Sequence, residues 1–372
     1  VSKDFAFHPT NPDISALAAM DAGNFWISKN NHYTWVKGGS SLPTWGGGNA
    51  IAFTGESTVY VALGQANFKG MAKSTNLGKS FTLLHGSARG LPNEGSSGKA
   101  ESMFAFPQAP NKVWAVIGEK LYFTDDGGNN WSIVFSAADV FHIDGVNQSN
   151  SEIIIATTKG IYRGINNEFT LYAQTLFNVT FCKVDPFDST VVFACGFRED
   201  NGGLWRYKNN QWKKVVNDKF VASIDINPQN SNEIVASTDD HPYHDKTFAK
   251  GVYLSRDGGD NWTLENTGLP VLRGGIIKFN PHNPREIILG TGGRGYFKGT
   301  WEPEFVVKAS GLKENKNKIR VYPNPFTNDV SVITGQDSEF RLFSISGSYL
   351  KTRQLNKGKN HINLAELNSG TY

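Results

Sequence analysis

The sequence predicts an all-β chain: a seven-bladed β-propeller with a small C-terminal β-sandwich domain. Three observations carry this. Gly is the commonest residue, with 39 copies in 372, beside 25 Phe, 12 Tyr and 9 Trp. Aromatic side chains fill pleated faces and glycine supplies left-handed turn positions, so the mixture suits many short strands. A unit of roughly 40–50 residues recurs along the chain, the period of propeller blades. Within those units apolar residues never recur at helical spacing.

Each unit reads as an apolar strand ending in Asn-Pro or a similar turn, a second β-rich strand, a Gly-led third strand, and a polar turn that closes on an aromatic. Residues 7–35 and 226–262 are the clearest copies. The polar turn reads SKNNHYTW at 28–35, STNLGKSF at 74–81, TDDGGNNW at 124–131 and SRDGGDNW at 255–262. This is Ser/Thr-x-Asp/Asn-x-Gly-x-x-Trp/Phe, the Asp box, with His32 replacing Gly in the first copy. The Asp or Asn side chain accepts N–H groups of its own turn. Gly permits the left-handed bend, and the aromatic packs between sheets. Weakened copies at 161–172 and 204–215, with a seventh unit at 276–299, complete the array.

The propeller is expected over 1–307, a linker over 308–318 and the second domain over 319–372, with strands at 329–333, 340–345 and 349–355. Residues 308–372 hold ten basic and five acidic side chains, against 27 basic and 29 acidic in the remainder. A near-neutral body lacks the basic stripe of a nucleic-acid binder. The basic tail reads as a solvated surface, because its charges interleave with a strand pattern. No apolar stretch approaches the length of a transmembrane helix. Cys182 and Cys195 fall on two strands of one hairpin. They read as small buried hydrophobes, with a disulfide open if the register sets them opposite. Neither a G-x-S-x-G elbow nor a P-loop is present.

VYPNPFTNDVSV (321–332), LFSISGSYL (342–350) and HINLAELNSGTY (361–372) resemble the C-terminal sorting domain of the Bacteroidetes type IX secretion system. The resemblance implies a secreted or cell-surface protein of a Gram-negative bacterium, with the type IX machinery as partner. The family usually adds one more strand after Gly-Thr-Tyr, so the chain reads as truncated at Tyr372. PTNPDISALAAMDAGNFWIS (9–28), NKVWAVIGEKLYFTDDGGNNW (111–131) and GTGGRGYFKG (290–299) resemble the Asp-box (BNR) propellers of xyloglucanase-type glycoside hydrolases, family 74, and sortilin-like proteins.

Chemistry is expected on the face that carries the loops between strands two and three and the links between blades. The Asp-box carboxylates Asp126 and Asp257 lie on the other face and read as scaffold. The loop 237–251 gathers Asp239, Asp240, His241, Tyr243, His244 and Asp245. Its His-x-x-His offers a divalent-metal site, zinc or calcium, as an alternative to a solvated polar loop; no other cofactor is indicated. The long link 85–102 contributes Arg89, Glu94 and Glu101, and the turn 196–203 contributes Arg198. Trp45, Phe68 and Tyr243 are the aromatics placed to stack on a sugar.

Glycoside hydrolysis needs two carboxyl groups. The resemblance assigns the base to Asp21, in MDAGNF, where Asn24 replaces a family glycine. The partner acid of that family sits in a Gly-Asp-Ile-Gly-Gly-Phe-like element that this sequence lacks. The leading expectation is therefore a secreted, polysaccharide-directed propeller of the glycoside hydrolase kind, endo-glucanase- or xyloglucanase-like, in whole or as part of a larger enzyme. A non-catalytic glycan- or protein-binding propeller and a polysaccharide lyase are the alternatives.

Overall fold

Short apolar runs separated by turns leave each repeat one solution, an antiparallel meander whose two faces are covered by its neighbours. The computed structural model describes residues 2–20, 25–39, 41–42, 47–65, 68–93, 98–146, 152–196, 201–240, 247–293, 295–301, 320–322, 328–343 and 349–367. It forms two compact units, Val1–Glu302 and Pro303–Tyr372.

The first unit is a propeller of seven sheets, each following chain order from its innermost strand outward. The inner strands are Ser2–Phe7, Gly48–Thr54, Ala100–Ala105, Val140–Gly145, Val179–Val184, Val221–Ile226 and Gly274–Asn280. Blades one to six have four strands, and blade seven shows three among the described residues. The second strands are the most deeply buried elements; Val113–Ile117, Val192–Gly196 and Ile234–Thr238 are buried at every position. A strand packed on both faces needs apolar residues without alternation. Every seam between neighbouring blades holds its own apolar cluster.

The four polar turns share one geometry. The first residue's hydroxyl accepts the N–H four positions on: His32 from Ser28, Gly78 from Ser74, Gly128 from Thr124 and Gly259 from Ser255, at 2.9–3.0 Å. The Asn30, Asn76, Asp126 and Asp257 side chains accept the N–H of Thr34, Ser80, Asn130 and Asn261, also at 2.9–3.0 Å. At Gly78, φ is +75° and a Cβ would lie 2.1 Å from the Phe25 ring of blade one. The turn therefore needs glycine for both its bend and its seam. His32 takes the same backbone region, φ 51–69° for the Asn31–His32 pair, and its ring lies among Phe5, Phe7, Trp35 and Tyr296.

Blades four and five turn differently. Asn166–Asn167 and Asn209–Asn210 all have φ between 51° and 67° and join Gly160–Ile165 to Glu168–Gln174 and Gly203–Lys208 to Gln211–Val216. These are two-residue hairpins of the primed kind, and asparagine is among the few residues that tolerate both positions. The weakened repeats are thus a different turn serving the same blade.

Cys182 pairs with Ala194, and Cys195 with Phe181. One step of register puts the thiols on opposite faces of the sheet. Both are buried and free, Cys182 in the cluster between blades four and five and Cys195 in the next.

In the second unit, Arg320–Tyr322, Asp329–Thr334 and Gly358–Asn363 form one sheet, and Ser338–Phe343 pairs with Tyr349–Leu355. Val330, Val332, Leu355, Ile362 and Leu364 make its core. The alternating burial of the hairpin Ser338–Phe343 matches a strand with one face covered.

Candidate functional site

Two places gather titratable groups. The first is the central channel, about 840 Å³ in volume, lined by the inner strands. Its carboxylates fasten one blade to the next. Asp4 accepts the N–H of Ile51 at 3.0 Å, Asp144 that of Val184 at 2.9 Å, and Asp225 that of Phe279 at 2.8 Å. Lys183 bridges Asp144 and Asp225 at 3.4 and 3.1 Å, and Lys278 reaches Asp4 at 2.7 Å. Burial disfavours the Lys183 charge, but the two carboxylates outweigh it and hold its pKa above normal. His142 is pushed down to about 3, first by burial and then by Lys278 and Lys183. It is neutral, stacked on Phe181 with ring centroids 3.8 Å apart. Charges paired this closely hold the ring together and leave little to offer a ligand.

The ring closes between blades seven and one, at the channel and farther out. Blade seven joins blade one through Lys278–Asp4, His282 against the His8 carbonyl at 2.6 Å, and the Tyr296 hydroxyl, which donates to the His32 carbonyl at 2.6 Å and accepts the Trp35 indole N–H. Among the described residues no strand from the start of the chain is added to blade seven.

The second place is the loop end of blade six, where the second strand, Ile234–Thr238, leads to the third, Val252–Ser255. Its base is cinched by Thr238, whose hydroxyl accepts the N–H of Lys250 and Gly251 at 2.8 Å and donates to the Gly251 carbonyl. Asn266 accepts from Val252 and donates to the Lys250 carbonyl. Asp218 receives the Phe220 N–H and the Tyr253 hydroxyl, each at 3.0 Å. The two described ends of the connection are therefore held in a fixed frame.

Asp240 is buried, and its carboxylate accepts the Phe248 N–H and the Arg273 guanidinium. Burial favours its neutral form, but these bonds together prevail and hold its pKa below the ordinary range. Asp240 thus ties the loop to the link between blades six and seven. Asp239 differs. Its N–H donates to the Phe220 carbonyl at 2.9 Å. Its Oδ1 is sealed from solvent and receives no hydrogen bond among the described residues. Burial pushes its pKa up, against the opposing pull of Lys3, Arg273 and the Asp240 backbone N–H.

Beside these carboxyls, Phe220 and Phe248 lie almost parallel, 11° between planes and 5.8 Å between centroids. Phe248 is 57% exposed, and the Lys219 ammonium lies 5.2 Å from the Phe220 ring centre. An exposed, supported ring of this kind offers a flat apolar face with one cation, Lys219, over its partner ring.

The sequence-derived candidates distribute as follows. Asp240 lies at this site as its buried anchor. Glu101 is on the inner strand of blade three, lines the channel and pairs with Lys99. Arg89 ends a single helical turn, Ser87–Arg89, and its carbonyl accepts the N–H of Trp131, which closes the polar turn of blade three. Phe68 opens the third strand of blade two, opposite Gln65. Asp21, Trp45, Glu94, Arg198, His241, Tyr243 and His244 lie outside the described residues. Among the described residues no group of His, Cys, Asp and Glu could hold a metal ion. Phe220 and Phe248 were not singled out from sequence; the one signal for Phe248 is an aromatic within the polar stretch DKTFAKG (245–251), and Phe220 in DKFV (218–221) carries none.

Residues 320–372 match the secretion system C-terminal sorting domain. That domain marks the chain as a secreted or cell-surface protein of a Bacteroidetes bacterium, and no helix among the described residues is long and apolar enough to cross a membrane. No curated protein matches the chain. Among solved structures, the GH74 enzyme of Niastella koreensis is similar with a TM-score of 0.64 at 17% identity, over 94% of this chain and 59% of that one. The GH74 xyloglucanase of Xanthomonas campestris gives 0.63 at 14%, over 90% and 58%. The chain therefore spans less than two thirds of either. YCF48 from Cyanidioschyzon merolae gives 0.57 at 15%, over 81% of this chain and 95% of that one. At these identities the likeness is one of fold: a β-propeller like those of GH74 enzymes and YCF48, carrying a C-terminal sorting domain for secretion.

Proposed function

We propose that the protein is an extracellular polysaccharide-binding propeller, with the loop end of blade six as its contact surface. The observation that carries this is the Phe220–Phe248 pair, a half-exposed aromatic face on a hydrogen-bonded frame. Pyranose rings present flat C–H faces that stack on such a surface, while Lys219 and neighbouring polar groups meet the hydroxyls. The likeness to propellers of a xyloglucanase supports a glucan as the polymer. The Asp-box turns belong to the scaffold in this reading, because their carboxylates are occupied by their own turns.

Hydrolysis is the second reading, favoured by the sequence resemblance, which assigns the base of those glycoside hydrolases to Asp21. It requires a partner acid on the same face.

Affinity electrophoresis of the full chain in xyloglucan and mixed-linkage β-glucan gels tests the binding. Retardation is expected in at least one polymer, and Phe248→Ala is expected to weaken it about tenfold, the worth of one stacking contact. A Phe248→Ala protein retarded as strongly as the wild type would sink the proposal. Release of reducing ends in the same incubations, abolished by Asp21→Ala, would move the reading from recognition to hydrolysis.

A further inference from the structure

We infer that Asp239 is a ligand-binding group of the loop face: its carboxyl donates a hydrogen bond to a hydroxyl or ring oxygen of the polysaccharide seated on Phe248. The inference rests on the binding reading above and deepens it.

The argument starts from supply and demand of hydrogen bonds. An ionised carboxylate accepts at both oxygens and donates nothing. Oδ1 of Asp239 is sealed from solvent and receives no donor among the described residues, although the residue as a whole is only half-buried. An unsupplied anionic oxygen in that position is costly. The neutral acid removes the cost and makes the other oxygen a donor, with the Asp240 backbone N–H also serving the carboxyl. Asp240, its neighbour, shows the opposite arrangement, with the Phe248 N–H and Arg273 supplied to its two oxygens.

Position supports the role. The Asp239 N–H is bonded to the Phe220 carbonyl, and the Asp240 carboxylate to the Phe248 N–H, so two consecutive residues hold the main chain of both members of the aromatic pair. In the proposed complex the Asp239 carboxyl lies at the edge of a sugar stacked on Phe248.

The charged groups acting on Asp239 are Lys3 of blade one and Arg273 of the link between blades six and seven, which favour ionisation, and Asp240, which opposes it. Burial outweighs the two cations and raises the pKa. Ligand binding should therefore be strongest where the acid keeps its proton and fade as pH rises through that raised value.

Titration calorimetry with xyloglucan oligosaccharide between about pH 4 and pH 9 tests this on wild type, Asp239→Asn and Phe248→Ala. Wild-type affinity should fall about tenfold toward the alkaline end, the loss of one hydrogen-bonded contact. Asp239→Asn keeps a donor in nearly the same shape, so it should retain the acid-limb affinity and lose the pH dependence. A variant that shares the wild-type pH profile, or a wild type whose binding ignores pH, overturns the role of Asp239 while leaving the binding reading intact. Absence of wild-type binding at every pH, with either polymer named above, overturns both.

Discussion

Blade six carries aspartates at both of its ends, and they live in opposite circumstances. At the polar turn, Asp257 accepts the Ser255 hydroxyl, the N–H of Asp260 and Asn261, and the Asn261 amide, at 2.7–3.1 Å. Burial works against its charge, yet these donors hold its pKa below the ordinary range. At the loop end, Asp239 has a sealed oxygen with no donor among the described residues and a raised pKa. The difference separates scaffold from site: a carboxylate surrounded by donors of its own chain is structural, and one left undersupplied by the fold is available to something else. By donor supply alone Asp4, Asp144 and Asp225 of the channel belong with Asp257, since each fastens the next blade's main chain; burial nonetheless raises the Asp144 pKa, against Lys183 and the Val184 N–H, so a raised pKa by itself does not mark a site.

The largest break in this comparison is Arg273→Ala. It strips the guanidinium from Asp240, whose side chain is wholly buried. An uncompensated buried carboxylate costs about 3–5 kcal/mol. Urea unfolding should show that loss, and hydrogen exchange should rise around Phe248. Next comes Gly259→Ala. The residue sits at φ +85° and an added Cβ would lie 2.8 Å from the Phe193 ring of blade five. Backbone strain and overpacking together should cost about 2–3 kcal/mol in the same unfolding experiment.

Asp257→Ala should cost less, about 1 kcal/mol, the usual loss for a side chain that caps exposed N–H groups. Its pH dependence has a definite sign. A carboxylate with a depressed folded pKa contributes stability that is full above the unfolded pKa and is lost as pH falls through the folded one. The gap between wild type and Asp257→Ala should therefore close in acid. Asp126, held at about 2 by Asn130, Thr124 and Asn129, should keep its contribution to lower pH than an ordinary aspartate.

How much of this could be read beforehand follows from range of interaction. The polar turns are local: donor, acceptor, glycine and aromatic lie within eight residues, so the pattern at 74–81 or 255–262 carries its geometry in sequence. The Asn166–Asn167 and Asn209–Asn210 hairpins are equally local, but they use a different turn, so they read as faded copies of the first kind. The disulfide question between Cys182 and Cys195 turned on a single step of register, which no local pattern fixes. The aromatic pair is harder still. Phe220 belongs to the link before blade six and Phe248 to its loop; Asp218 and Asp239 hold the main chain of the first and Asp240 that of the second. The loop 237–251 stood out by its charge density, while the ring that faces solvent within it did not, because a lone Phe between Thr247 and Ala249 carries no periodic signal.

The smallest effect is the most discriminating one. Asp239→Asn removes a group that prefers to be neutral and replaces it with one that always is. A carboxyl with a raised folded pKa makes the wild type lose stability as pH climbs from the unfolded pKa through the folded one. The variant has no such loss, so the two proteins should be nearly equal in acid and the variant should be the more stable at higher pH, by up to about 1 kcal/mol given that the residue is only half-buried. This is the reverse of the Asp257→Ala result in both sign and direction with pH. Equal stability of wild type and Asp239→Asn across the whole range would mean that folding does not perturb the Asp239 carboxyl, and a variant less stable at higher pH would place it with the scaffold carboxylates; either result would leave the Phe220–Phe248 face to bind its polymer without a neutral acid at its edge.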